Sequence, residues 1–560
     1  MVNILSPNAI WSDFKIEGLP TASVIKEESK GDIILSYLNI KGKTTEEGCV
    51  GIAGVLVKNI QLTVSPAIIV LQDFKDGMDS SLAEYFAERG YIVLLLDVAG
   101  KDEGKTFYTY YPTSLAYANY AQVKDDIYSL KSGAKKSCWY EWTCSLIYAL
   151  KYLSSLPFVT NVGAIGIGEA ATVLWQAAAV DKTLACAVFA SNAGWGLYKN
   201  VNKFGDNVNP QFSDEELSVL AGIEPEAYAT LVQCPSLTLL SANGSCDVDR
   251  AYDTVSRIPD KTYKALSVCI GGTDSIDKNG FDVAEMFFKE ILMKNGAKAF
   301  PKETEIVCEM KDGVCTIEVT PDNKKLKEVV LYAAEGEENH AVRCWKRVCG
   351  GSKTQNGSYV FNYLPYKYSG IVTFVANAKY SDGFIVSSNV IAKRFTPEQA
   401  VNINKTPVIY NSREPFGESI FIPAGHYVEK PTGLTITDDR KITVEEGPLS
   451  ISGVKCKEGL LTFAPNSVKY KPAEDAILMF DVCCKTESVL QVKIIADFSG
   501  QRTEYVNTLT VNNVNVWCNY KFEGSSFKTQ SGMQIKSLSN VQALEFYSDG
   551  EFLVNNVLWI

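Results

Sequence analysis

Residues 162–175, VGAIGIGEAATVLW, lead an apolar strand into a tight turn, Gly166-Ile167-Gly168-Glu169-Ala170, and on into a segment rich in Ala, Leu and Trp that reads as helix. Turns of this shape written G-x-S-x-G hold a serine nucleophile at the tip. Here the middle position is Gly168, which has no side chain to attack with. Carboxylates are the other chemistry within reach: Glu169 beside the turn, and Asp247, Asp274 and Asp277 on loops expected at the same end of the sheet. Glu169 stands one residue too late for a nucleophile, at the position whose backbone N–H faces a developing oxyanion. Cys246 and Cys269 are thiols with no neighbouring histidine or basic cluster to activate them. The only histidines are His340 and His426, so the first 300 residues hold no imidazole to serve as general base near neutral pH.

The elements that would position these groups alternate up to about residue 300. PAIIVLQDF (66–74), YIVLLLDVAG (91–100), ACAVFASNAG (185–194), SLTLLSANG (236–244) and KALSVCIGG (264–272) read as buried strands. Between and after them, 80–90, 138–156 and 282–296 carry helical periodicity. That alternation predicts a mostly parallel sheet covered on both faces, an α/β fold over residues 1–302 with an N-terminal extension. From about 303 helical periodicity vanishes and short strand-like runs dominate. Residues 303–397 fit one immunoglobulin- or fibronectin-like β-sandwich, and 398–560 a linker followed by a jelly-roll β-sandwich.

In their order along the chain, several of these pieces resemble the α/β-hydrolase superfamily, in particular its acetyl-xylan esterase and peptidase-like branches. The strand 66–74 resembles the family's oxyanion strand, and GYIVLLLDVAG around Asp97 another recurrent segment. The helix with Trp139-Tyr140-x-Trp142 precedes the turn at Gly168, CPSLTLLSANGSCDVDR resembles the loop of the catalytic acid, and CIGGTDSIDKNGF the loop of the histidine. The resemblance covers just over half the chain and implies a Ser-His-acid hydrolase, yet its catalytic positions are degenerate. The nucleophile slot is Gly168, the acid slot offers Asp247, and the histidine slot falls at Thr273 or Asp274. Relatives often carry His-Gly above the oxyanion strand, where this chain has Gln72-Asp73. Loss of a triad member costs about four powers of ten in rate, so the Ser-His-acid mechanism is excluded unless a histidine from the β-domains reaches in. Glycine at the tip relaxes a strained backbone, as expected of a turn freed of its chemistry.

Composition narrows the partners. A formal net charge of −11, with no long basic run, argues against nucleic acid or anionic membrane. The N-terminus lacks the basic and apolar regions of a secretory signal, and no long uncharged apolar window spans a membrane. The 15 cysteines are scattered, several within apolar strands, which fits reduced thiols in a cytoplasmic protein; no zinc spacing occurs, and neither metal nor cofactor is expected. The C-terminal unit resembles jelly-roll carbohydrate-binding modules in pattern. Its aromatics Trp517, Tyr520, Phe522 and Tyr547 could stack on sugar rings, against the plainer reading as sheet core. Three readings follow: a non-catalytic α/β-hydrolase-fold scaffold, an ester or amide hydrolase with a carboxylate site around Glu169, Asp247 and Asp274, and a carbohydrate-binding protein. Its ligand would be a small acyl or carbohydrate compound.

Overall fold

The computed structural model describes residues 3–74, 77–205, 210–271, 278–293, 300–424, 441–496 and 502–560. A nine-stranded sheet forms from β1 (Ala22–Lys30), β2 (Ile33–Thr45), β3 (Gly48–Asn59), β4 (Ser65–Leu71), β5 (Ile92–Leu96), β6 (Val159–Ile167), β7 (Cys186–Ala190), β8 (Ser236–Ser241) and β9 (Lys264–Cys269). Their spatial order is β1-β2-β3-β5-β4-β6-β7-β8-β9. From β5 to β9 every pairing is parallel, and β3 joins antiparallel at β5. The central strands are apolar throughout because both faces are covered; all of Ile92–Leu96 is buried. The antiparallel strands β1 to β3 are an addition to the sequence reading, which placed no elements in the N-terminal extension. β1 is exposed along nearly its whole length, so it carries no burial periodicity to read.

The helices on the sheet follow their sequence signals. Ser137 caps the helix Cys138–Ser155 by accepting the Tyr140 N–H at 3.3 Å. On that helix Trp139 and Trp142 are fully buried, and their indole N–H groups donate to the carbonyls of Ile127 at 2.8 Å and Ala118 at 2.7 Å. Phe74 packs on Trp142 with ring centres 4.3 Å apart, which seats the loop after β4 against the helix layer.

Beyond residue 300 the described residues form antiparallel sheets with only short helical turns. The first sandwich pairs a sheet of Glu305–Lys311, Val314–Thr320, Ser352–Lys353 and Tyr359–Tyr363 with one built around Leu326–Glu335 and Ile371–Tyr380. The second closes on itself: its first strand, Val408–Tyr410, pairs antiparallel with the last, Phe552–Trp559. The first sandwich is fused to the α/β layer. The Val268 N–H of β9 donates to Ser387 Oγ at 2.8 Å, Asn377 Nδ2 donates to the Val268 carbonyl at 3.0 Å, and Tyr380, Phe384 and Val386 share one apolar core with Phe281 and Phe287. No disulfide joins the cysteines among the described residues.

Candidate functional site

Gly168 sits at the tip of the turn between β6 and the helix Ala170–Val180, at φ +59°, and its N–H donates to the Ala190 carbonyl at 2.9 Å. The space a side chain would take there is already filled. A Cβ on Gly168 would lie 2.2 Å from Asp73 Oδ2. That same oxygen accepts the backbone N–H of Glu169 at 3.2 Å, the amide that would stabilise an oxyanion in an active turn of this kind. Gln72 fixes the loop carrying Asp73, its amide donating to the Asp79 carbonyl and accepting the Asp79 N–H, both at 2.8 Å. Asp73 therefore meets the turn as an internal carboxylate on the Glu169 N–H, and Gln72 braces the loop that carries it. A narrow crevice beside them reaches Lys105 and Asp97, whose carboxylate is raised by burial and held by Lys105 and the Thr109 N–H.

The neighbouring acids are committed elsewhere. Glu169 Oε2 accepts the Tyr128 hydroxyl at 2.7 Å. Asp247 caps the helix Val248–Val255 by accepting the Asp249 N–H at 3.0 Å, and Arg250 Nε lies 3.1 Å from its other oxygen. Cys246 Sγ accepts the Ala193 N–H at 3.2 Å. Thr273, Asp274, Asp277 and His426 lie outside the described residues.

A histidine from the second domain does reach in. His340 is buried against the acid loop, Nδ1 3.6 Å from Asp247 Oδ1 and Nε2 3.1 Å from the Gly244 carbonyl. Both ring nitrogens thus address residues 244–247, and the tip of the turn after β6 is Gly168. Burial and the adjacent Asp249 push the Asp247 carboxyl up, and His340 and Arg250 pull it back. Around this contact the acid loop serves as a socket. Asn243 Nδ2 donates to the carbonyls of His340, Ala341 and Arg343 at 3.3, 3.3 and 2.9 Å. Arg343, with no exposed side-chain surface, makes a two-pronged pair with Asp249 at 2.5 and 2.7 Å and also donates to the carbonyls of Glu337 and Glu338. Sequence reading missed Arg343, Asn243 and Asp249, and no local pattern marks them.

In the C-terminal sandwich the candidate aromatics lie apart. Tyr520 and Phe522 are half-buried on Cys518–Glu523 around Phe480, whereas Tyr547 is 43% exposed on Val541–Ser548 of the opposite sheet. Trp517 packs over Gly447 and Gly453, its Nε1 donating to the Pro448 carbonyl at 3.1 Å.

A mixed sheet with a parallel centre, and a strand-turn-helix with acid-bearing loops beside it, resemble the α/β-hydrolase arrangement, and antiparallel sheets consistent with β-sandwich domains follow. Among solved structures, the chain is similar to acetyl xylan esterase 1 from Thermoanaerobacterium sp. JW/SL YS485, at 15% identity over 49% of this chain and 88% of that one with a TM-score of 0.37. An acetyl xylan esterase from Paenibacillus sp. R4 matches at 12% identity over 51% and 92% with a TM-score of 0.38, and a cold-adapted esterase from an Arctic intertidal metagenomic library at 15% over 48% and 99% with 0.33. No protein-family model and no curated protein matches the chain. Among the described residues no helix is long and apolar enough to cross a membrane.

Proposed function

We propose that this protein is a catalytically silent α/β-hydrolase-fold scaffold, in which the old reaction centre has been converted into internal packing. The observation that carries the reading is Asp73: its carboxylate accepts the Glu169 N–H and occupies the space of the missing side chain at Gly168. A carboxylate there repels the oxyanion that acyl transfer must build and blocks the approach of a carbonyl. The acid loop supports the same reading, since it spends Asn243, Asp247 and Asp249 on docking the second domain. A buried, hydrogen-bonded joint of this kind holds the domains in one relative orientation, as a binding or assembly platform requires. Cysteines buried without disulfides support a reducing, cytoplasmic setting. The test is a fluorophosphonate probe together with a panel of short acyl esters on the full chain. The expected result is neither labelling nor turnover; labelling of any residue in the first domain overturns the proposal.

A further inference from the structure

Beside the turn lies a group of side chains that this reading does not use. Glu224 and Glu226 are 2% and 5% exposed, and Oε1 of each has no hydrogen-bond partner. Both press on the loop that leaves β7. A Cβ on Gly194 would fall 2.1 Å from Glu226 Oε2, and one on Gly196 2.9 Å from Glu224 Oε1, so only glycine lets this backbone lie directly on the two carboxyl groups. Between them Trp195 holds φ +65°, its N–H donating to Glu226 Oε2 at 3.2 Å and its indole N–H to Thr254 Oγ1 at 2.9 Å.

The charged and titratable groups facing this pair come from every neighbouring element. The turn at Gly168 brings Glu169, held by Tyr128, and the helix Val248–Val255 and the turn after it bring Arg250 and Arg257, whose guanidiniums lie 5.6 and 5.3 Å from the Trp195 ring centre. Among the described residues no three acidic, histidine or cysteine side chains are placed to hold a metal. Buried carboxyl oxygens without a donor are costly when charged, and a proton is the smallest ligand that removes the cost. Burial, with Glu226 and Glu169 adding to it, pushes Glu224 well above the ordinary range against the opposing pull of the Gly196 and Trp195 N–H groups. Burial also raises Glu226 to about 7, against the opposing pull of backbone N–H groups, Arg257 and Arg250.

We propose that Glu224 and Glu226 form a proton-loaded clasp that keeps the loop 194–196 closed and releases it when the protons leave. Opening exposes the carboxyl groups to water, where a glutamate returns to its ordinary value of 4.5, so the closed form binds protons more tightly than the open one. The stabilisation is therefore complete below 4.5 and is lost as pH rises to about 7, through Glu226, and further still through Glu224. Each linked proton makes opening about tenfold easier per pH unit within that window. This inference is independent of whether the turn at Gly168 is silent.

The test is hydrogen exchange of amides 194–198 in the full chain across that window, corrected for intrinsic exchange and referenced to the strand Ile92–Leu96. The expected result in the wild type is a loss of protection of about a hundredfold per pH unit between 4.5 and about 7, where both protons are linked, and of about tenfold per unit above that through Glu224, absent from the Glu224→Gln/Glu226→Gln variant, whose amides mimic the protonated acids. Equal pH dependence in the two proteins overturns the proposal. Should that variant fail to fold, the infrared carbonyl band of protonated carboxyl groups decides, read in the wild type and in the single variant Glu226→Gln because Asp97 and Asp247 are raised by burial as well. A band at about pH 6 that is lost in alkali and is weaker in Glu226→Gln supports the clasp, and a band equally strong in the two proteins, or none, refutes it.

Discussion

Gly168→Ser restores the side chain that a turn of this kind normally carries, and its cost can be worked from two contacts. Backbone preference alone asks about 1 kcal/mol for a non-glycine residue at positive φ. The structure adds a second charge, because the new Cβ would stand 2.2 Å from Asp73 Oδ2 and so drives that carboxylate off the Glu169 N–H. Losing a charge-assisted hydrogen bond in a half-buried setting adds about 1–2 kcal/mol, for a total of about 2–3. In an Asp73→Ala background the clash is absent, so the serine should cost only the backbone part, and a double-mutant cycle should show a coupling of about 1–2 kcal/mol. Urea unfolding followed by tryptophan emission reads both numbers, since Trp139, Trp142 and Trp175 are buried in this domain. The Gly168→Ser/Asp73→Ala protein should still hydrolyse no ester, because His340 spends its ring nitrogens on Gly244 and Asp247. An equal cost for the serine in both backgrounds would remove Asp73 from the argument, and robust turnover would show a working base at the turn.

Two further outcomes test the joints between domains and sheets. Arg343→Met leaves the Asp249 carboxylate buried without its partner and should cost about 3–5 kcal/mol, most of it recovered by adding Asp249→Leu; a loss under about 1 kcal/mol in thermal unfolding would mean that this pair does not hold the second domain. Gly453→Ala places a methyl 2.7 Å from Trp517 Cη2 and 2.9 Å from Leu553 Cβ, and should destabilise the C-terminal sandwich by about 1–3 kcal/mol with a shift in Trp517 emission; unchanged emission and stability would show that the packing is slack.

Local periodicity was enough to read the parts of this protein whose structure is set by their own neighbours. The strand into Gly168, the helix Cys138–Ser155 and the buried strands of the parallel sheet stand where apolar patterning puts them, because each buries a continuous face. The glycine at the tip of that turn was equally legible, since it is one residue of the sequence. β1 to β3 were not: β1 is solvent-facing along nearly its whole length, and its strand form depends on pairing with β2. Nor could the sequence show what fills the turn. Asp73 meets Glu169 across 96 positions, Arg343 meets Asp249 across 94, and His340 meets Gly244 across 96. Such contacts leave no periodic trace, because a single polar side chain on a loop reads as solvated until another domain is packed against it. Docking of the second domain removes that solvent from Asp249 and Gly244, and packing of the loop after β4 on the turn removes it from Asp73.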